Sequence, residues 1–230
     1  MPRRKDKENN RANNGVSMRT IEPITGTQED VFDAYDEGRH LCLHGVAGTG
    51  KTFLAMYLAL DSVFKKQYNR VVVVRSVVPT RDMGFLPGNQ KEKQRVYEQP
   101  YMAIGTELFG RGDAYEVLKT KNIIEFISTS FVRGVTLDNC VVIVDECQNM
   151  TFHELDSVIT RMGNNCRVMF CGDYRQSDLL RDTEKKGLKD FMRVLSKMQH
   201  FDIIEFSEDD IVRSALVKEY ILAKLKDGYV

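Results

Sequence analysis

Three short groups of residues carry chemistry that their types and spacing make specific. Gly45-Val46-Ala47-Gly48-Thr49-Gly50-Lys51-Thr52 satisfies G-x-x-x-x-G-K-[ST], directly after an apolar run ending at Leu43 and directly before the helix-patterned Phe53-Leu54-Ala55-Met56-Tyr57-Leu58. Glycines let a backbone wrap a pyrophosphate so that several N–H groups point inward, and the start of the following helix adds partial positive charge. Lys51 is then placed to reach the β- and γ-phosphates, and Thr52 to hold Mg2+ through its hydroxyl. Asp145-Glu146 follows the run Val141 to Val144. Asp145 at a strand end is expected to bind Mg2+ through water, and Glu146 to orient or deprotonate an attacking water. A glycine-rich turn without a ligand and a solvated pair of carboxylates are the plainer alternatives, and the co-occurrence of the two motifs argues against both. Gly172-Asp173-Tyr174-Arg175-Gln176 follows Arg167 to Cys171 and would bring Gln176 beside the γ-phosphate; alone, Gly-Asp after a strand is an ordinary turn.

Such groups need a scaffold that delivers them to one edge. His40 to Leu43, Arg70 to Arg75, Ile123 to Ser128, Val141 to Val144, Arg167 to Cys171 and Phe201 to Phe206 read as six strands. Val71-Val72-Val73-Val74 and Val141-Val142-Ile143-Val144 are apolar at every position, as parallel strands covered on both faces must be. Helical patterns lie at 51–66, 152–162, 187–199 and 210–226, the last with Ser207 at capping-box spacing before Asp210. Alternation of this kind predicts an α/β fold: a doubly wound, mainly parallel sheet with helices on both faces. Residues 79–121, with Pro79, Pro87, Pro100 and five glycines, are too long for a plain crossover and read as an insertion.

The 230 residues carry 33 basic and 33 acidic side chains, so nothing argues for a partner bound by overall charge. Five cysteines without Cys-x-x-Cys spacing and four scattered histidines fit neither a disulfide framework nor a metal cage. No long apolar run suggests a membrane span, and Met1-Pro2-Arg3-Arg4-Lys5 lacks the apolar segment of a secretory signal, so a cytoplasmic protein is expected. Residues 1–20 are polar and basic and read as a disordered arm, with a nucleic-acid-binding arm as the alternative; 21–230 read as one domain.

The motifs taken together resemble one family. HGVAGTGKT, GFLPG at Gly84 to Gly88, RGVT at Arg133 to Thr136, VIVDECQN at Val142 to Asn149, GDYRQSDL at Gly172 to Leu179 and DIVRSALV at Asp210 to Val217 occur in the order found in the PhoH-like ATPases. That family is similar to the first RecA-like motor domain of superfamily 1 helicases, whose motifs II and III read DEAQ and GDxxQ. Cys147 stands where the family commonly has Ala, and Arg75 to Pro79 is a looser version of its RP segment. The resemblance implies a RecA-like P-loop NTPase fold, ATP and Mg2+ as cofactors, and hydrolysis as the reaction. It implies that Gln28, in the TGTQ segment, reads the adenine edge, and that Arg213 acts on the γ-phosphate as an arginine finger or sensor. It also favours a hexamer. A superfamily 1 helicase closes its nucleotide between two motor domains, and these residues suffice for one. Either the C-terminal helix folds back in cis, or a neighbouring subunit supplies Arg213 in trans.

The leading expectation is a Mg2+-dependent ATPase coupled to RNA or single-stranded DNA. In the insertion, Arg81, Lys91, Lys93 and Arg95 lie near Phe85, Tyr97 and Tyr101, a mixture suited to phosphates and stacked bases. The interleaved Asp82, Glu92 and Glu98 make a solvated amphipathic excursion the competing reading. An ATP-dependent oligomeric switch or scaffold without nucleic acid is the second function class. A small-molecule kinase is the third, disfavoured because Asp145, Glu146 and Gln176 suit activated water better than an acceptor hydroxyl. No Asn-Lys-x-Asp guanine-reading motif is present.

Overall fold

The computed structural model describes residues 11–13, 16–77, 90–173 and 182–228. Gln176, the GFLPG run, Arg81 and Phe85 lie outside the described residues, as do the side chains of Lys91 and Lys93. In chain order the elements are β1 (Arg11–Asn13), β2 (Val16–Met18), α1 (Gly26–Asp36), β3 (His40–Gly45), α2 (Lys51–Phe64), β4 (Arg70–Arg75), α3 (Gln90–Phe109), α4 (Ala114–Thr120) and β5 (Ile124–Ser128). They continue with α5 (Thr129–Val132), β6 (Cys140–Asp145), α6 (Phe152–Ile159), β7 (Cys166–Gly172), α7 (Asp182–Leu195), β8 (Phe201–Phe206) and α8 (Ala215–Lys226).

Six strands form one parallel sheet in the order β5-β4-β6-β7-β3-β8. Successive side chains of a strand face opposite ways, and Val71 and Val73 join one core while Val72 and Val74 join the other. The first core is covered by α1 to α4, through residues such as Val31, Leu54, Tyr101 and Leu118. The second is covered by α5, α6 and α7, through Val132, Leu155, Val158, Leu188 and Phe191. The doubly wound α/β architecture is therefore the one the strand patterns predict. Leaving β3, the chain crosses β7 and β6 to reach β4, and later returns to fill the gap. A crevice outside the carboxyl ends of β3, β7 and β6 results from that reversal, and crevices of this kind are where open α/β sheets bind ligands.

Three expectations change in detail. The capping box at Ser207 exists, with the Ser207 N–H donating to the Asp210 carboxylate at 2.8 Å, but it closes a single 3-10 turn, Glu208–Asp210. Helix α8 begins only at Ala215, because the Val212 N–H donates to the Gly48 carbonyl at 3.1 Å and draws the intervening chain across the glycine-rich loop. The segment 79–121, read as an insertion without assigned elements, carries two helices, of which α3 runs for 20 residues. In the segment read as a disordered arm, β1 and β2 pair in antiparallel register, Met18 is buried, and the Arg19 N–H donates to the Leu108 carbonyl at 2.9 Å. One apolar side chain and one backbone bond to α3 anchor a stretch whose composition alone predicts none. No helix among the described residues is long and apolar enough to cross a membrane. The five cysteines are free thiols, and burial pushes Cys42 up to about 12, which keeps it inert.

Candidate nucleotide site

The loop Gly45 to Gly50 joins β3 to the first turn of α2. Gly45 has φ +119°, and a side chain there would collide with the Phe206 carbonyl of neighbouring β8. Gly50, at φ +87°, sits just before α2 in the left-handed region that costs an L-residue energy and glycine none. The loop is thereby free to curl over the helix start. Lys51 Nζ donates to the carbonyls of Gly45 at 2.9 Å and Val46 at 2.7 Å, and to Thr49 Oγ1 at 3.3 Å. Burial lowers its pKa, and nearby Asp173 and Glu146 oppose that shift. A half-buried ammonium held by three neutral acceptors is primed to exchange them for anionic oxygens.

Across the crevice, the Asp145 carboxylate is 3% exposed and takes one hydroxyl on each oxygen. Thr52 Oγ1 donates to Oδ1 at 2.7 Å, and the Tyr101 phenol donates to Oδ2 at 2.8 Å. Desolvation, joined by the adjacent Glu146 charge, raises the Asp145 pKa against the pull of those two donors and of Arg75. Glu146 has φ +51°, a left-handed conformation for a non-glycine residue. Strain of this kind collects where a side chain must be aimed. Its carboxylate accepts a 2.5 Å hydrogen bond from Gln148 Nε2, whose own Oε1 accepts from the Asp173 N–H at 3.2 Å. Gln148 therefore ties the end of β6 to the end of β7. A side chain at Gly172 would meet Gln148 Oε1 at 2.6 Å and Cys147 Sγ at 2.7 Å, so the glycine lets those two turns touch.

Gln28 is buried in α1, its N–H capped by the Thr25 hydroxyl at 3.3 Å. Its Oε1 accepts from the Ile24 N–H at 3.0 Å, and its Nε2 approaches the Thr49 carbonyl at 3.5 Å. Arg213 lies on the opposite lip: a Cβ added to Gly48 would fall 3.0 Å from Arg213 Cγ and 3.4 Å from Nε. The C-terminal segment thus folds back over the chain's own loop. These residues line a single cavity of about 770 Å³ shared by Gln28, Lys51, Thr52, Asp145, Glu146 and Arg213. That is the size range of sites that enclose a small organic ligand.

Of the residues expected to act here, Gln28, Ala47, Gly48, Gly50, Lys51, Thr52, Asp145, Glu146 and Arg213 line this cavity, Gly45, Val46 and Thr49 do not, and Gln176 is outside the described residues. Tyr101, expected to stack on bases, is instead fully buried beneath Asp145. Tyr97 is half-buried, and exposed Arg95 sits 3.9 Å from Glu116. Patterning did not reveal the roles of Tyr101, Arg75 and Gln148. Tyr101 has no local signal at all, whereas Gln148 was visible as the fourth residue of DECQ. Among the described residues no three His, Cys, Asp or Glu side chains cluster as a metal cage. The Thr52 hydroxyl and the Asp145 carboxylate are hard oxygen donors, and one or two of these with phosphate oxygens and water are what Mg2+ takes.

Residues 20–224 match the family described as PhoH-like protein. This chain belongs to that family. A PhoH-like protein of Mycobacterium leprae (strain TN) is 32% identical over 209 residues, which cover 88% of this chain and 58% of that one. Protein PhoH of Escherichia coli (strain K12) is 33% identical over 181 residues, covering 78% of this PhoH-like chain and 51% of its own. The chain spans about half the length of the curated relatives it matches. Among solved structures, the large terminase from the thermophilic bacteriophage D6E aligns with TM-score 0.54 at 12% identity over 86% of this chain and 50% of the terminase. The same terminase in complex with ADP gives TM-score 0.53. That likeness places the PhoH-like chain in the same fold.

Proposed function

We propose that this PhoH-like domain binds ATP with Mg2+ and hydrolyses it, in the cytoplasm, as a homo-oligomer coupled to RNA or single-stranded DNA. The observation that carries the nucleotide reading is the 2.7 Å bond between Thr52 of the glycine-rich loop and Asp145 at the end of β6. Two motifs 93 residues apart meet there, in one cavity. The loop N–H groups and Lys51 bind phosphates. Thr52 and Asp145 hold the cation, whose charge offsets that of the phosphates. Glu146, aimed by Gln148, orients a water and takes its proton, the role that favours hydrolysis over transfer to a metabolite. Gln28 reads the base, and Arg213 stabilises charge on the terminal phosphate.

Support for self-association comes from α8, which buries no residue and exposes Leu216 by 75% and Tyr220 by 66%. A hexamer is the size the family resemblance favours. Support for nucleic acid comes from the carboxyl end of edge strand β5, where Phe131, 58% exposed, and exposed Arg133 follow the strand. Residues 21–230 act as one catalytic unit in this reading. The test is a pair of variants. Lys51→Ala weakens ATP binding and abolishes turnover, whereas Glu146→Gln keeps binding and loses turnover by on the order of 100-fold or more. Intact affinity and turnover in Lys51→Ala would sink the assignment. Stimulation of turnover by RNA or single-stranded DNA separates the coupled ATPase from a nucleotide switch, which would not respond.

A further inference from the structure

We propose that Tyr101 is a positioning residue for Asp145, and that through it helix α3 controls how well the site holds a divalent cation. The inference rests on the reading of Asp145 as a cation ligand. Asp145 has two oxygens and two hydroxyl partners. Thr52 belongs to the phosphate loop and is itself a cation ligand in that reading. Tyr101 is the partner that comes from outside, carried on a helix 44 residues away in the chain. Donors on both oxygens fix the plane of a carboxylate as well as its position.

Nothing around Tyr101 lets the phenol swing away. It is 0% exposed, and its ring lies 6.0 Å from that of Phe126 on β5. Arg75 ends β4 directly opposite Asp145 in the strand register, and its positive charge acts on the same phenol. One helical turn earlier, Glu98 is also buried, accepting from the Tyr115 phenol at 2.8 Å and pairing with Lys119 at 2.6 Å. Helix α3 is therefore fastened twice on one side, by Glu98 to α4 and by Tyr101 to the carboxylate. Sliding α3 by one residue moves it about 1.5 Å, enough to break a 2.8 Å hydrogen bond. A shift anywhere along this helix reaches Asp145 through a single contact. A tyrosine that merely fills the core would affect stability and leave cation affinity alone.

The experiment uses the full chain with Tyr101→Phe, which removes one oxygen and keeps the ring. A fluorescent ATP analogue is titrated in Mg2+ and again in EDTA, with melting temperature as the check on folding. Wild type gains affinity from Mg2+. Tyr101→Phe keeps its EDTA affinity within about twofold and loses roughly tenfold of the Mg2+-dependent gain, the scale of one charge-assisted hydrogen bond. Glu98→Gln, which loosens α3 at its other attachment, lowers the melting temperature and loses part of the same gain, and it takes nothing further from that gain when Tyr101→Phe is already present. In wild type, Mg2+ added to bound ATP also slows hydrogen exchange in α3 around Tyr101, a readout that needs no variant. An unchanged Mg2+ gain in Tyr101→Phe, an equal loss in Mg2+ and EDTA, a full Mg2+ gain in Glu98→Gln, or indifferent exchange in α3 would each overturn the proposal. A wild-type protein that binds the analogue in neither buffer would instead bring down the nucleotide reading, and this inference with it.

Discussion

Replacing Asp145 by Asn should make the ligand-free protein more stable, although it removes a central residue of the site. The carboxylate is 3% exposed, stands beside Glu146, and has its pKa raised chiefly by burial. A raised pKa means the folded state disfavours the ionised form, so at neutral pH this charge destabilises the fold. Asn keeps the shape and can keep both contacts, accepting one hydroxyl on its oxygen and donating to the other through its NH2 group. Two charge-assisted bonds become neutral ones, a loss of about 1 kcal/mol each. Against this stands the removal of a buried carboxylate, whose desolvation costs several kcal/mol. The net expectation is a gain of about 1–2 kcal/mol, and at roughly 2–4 °C per kcal/mol for a chain of this size the melting temperature rises by about 2–8 °C. The pH dependence has a definite sign: acidification below the raised pKa neutralises Asp145 in wild type and does what Asn does at any pH, so the advantage shrinks as pH falls. Differential scanning calorimetry with and without Mg2+-ATP measures both halves. Wild type should gain stability from the ligand, on the order of 3 kcal/mol at 100-fold excess over Kd, while Asp145→Asn should gain far less. A lower melting temperature in the ligand-free variant would refute the reasoning, because it would mean that Arg75 and the two hydroxyl donors more than offset the buried charge.

Gln28→Ala should erode a preference for ATP over GTP, since an amide matches the donor and acceptor of adenine and mismatches those of guanine; equal turnover of both nucleotides, unchanged in the variant, would remove Gln28 from the site. Arg213→Ala should keep ATP affinity and lose turnover by ~10³-fold, the scale of an arginine finger. Because Arg213 packs on its own Gly48, mixing Lys51→Ala with Arg213→Ala subunits should restore no activity. Recovery after subunit exchange would show instead that the arginine works across an interface.

Of the six sheet strands, β4 and β6 were the most legible because each is apolar on both faces along its centre, whereas the edge strands β5 and β8 carry Glu125, Asp202 and Glu205 and were legible as short runs between helical stretches. Helix α2 was legible for a similar reason, since ten of its fourteen residues are buried. Helix α1 was not, because it buries few residues and starts from a threonine cap, at Thr25, that composition does not distinguish from a turn. The Ser207 signal is real, and it marks a shorter element than the pattern beyond it suggests. A capping box specifies the first turn only, and here the bond from Val212 to Gly48 delays the next helix. Pro100 and the mixed charges of residues 90–109 pointed away from a long helix. Tertiary contacts overrode them, with Tyr101 and Leu108 buried in the sheet's core and Glu98 locked to α4.

The same division separates the parts of the site that sequence reveals from those it hides. The residues proposed to touch a phosphate or a cation sit on loops at strand ends, where backbone shape demands particular glycines and spacing, so Gly45 to Thr52 and Asp145-Glu146 stand out as strings. Residues that hold those groups in place are chosen by the direction in which a rigid element happens to point. Tyr101 reaches Asp145 from α3, and Gln148 reaches Asp173 from the turn after β6, across sequence gaps that obey no period. In Tyr101 the sequence displayed an aromatic among charges, which reads equally well as a stacking residue. Only its burial and the 2.8 Å bond to Asp145 distinguish the two roles. Once that bond is in place, the segment that looked like an excursion from the sheet becomes part of the nucleotide site, because the carboxylate cannot move without the helix that holds it.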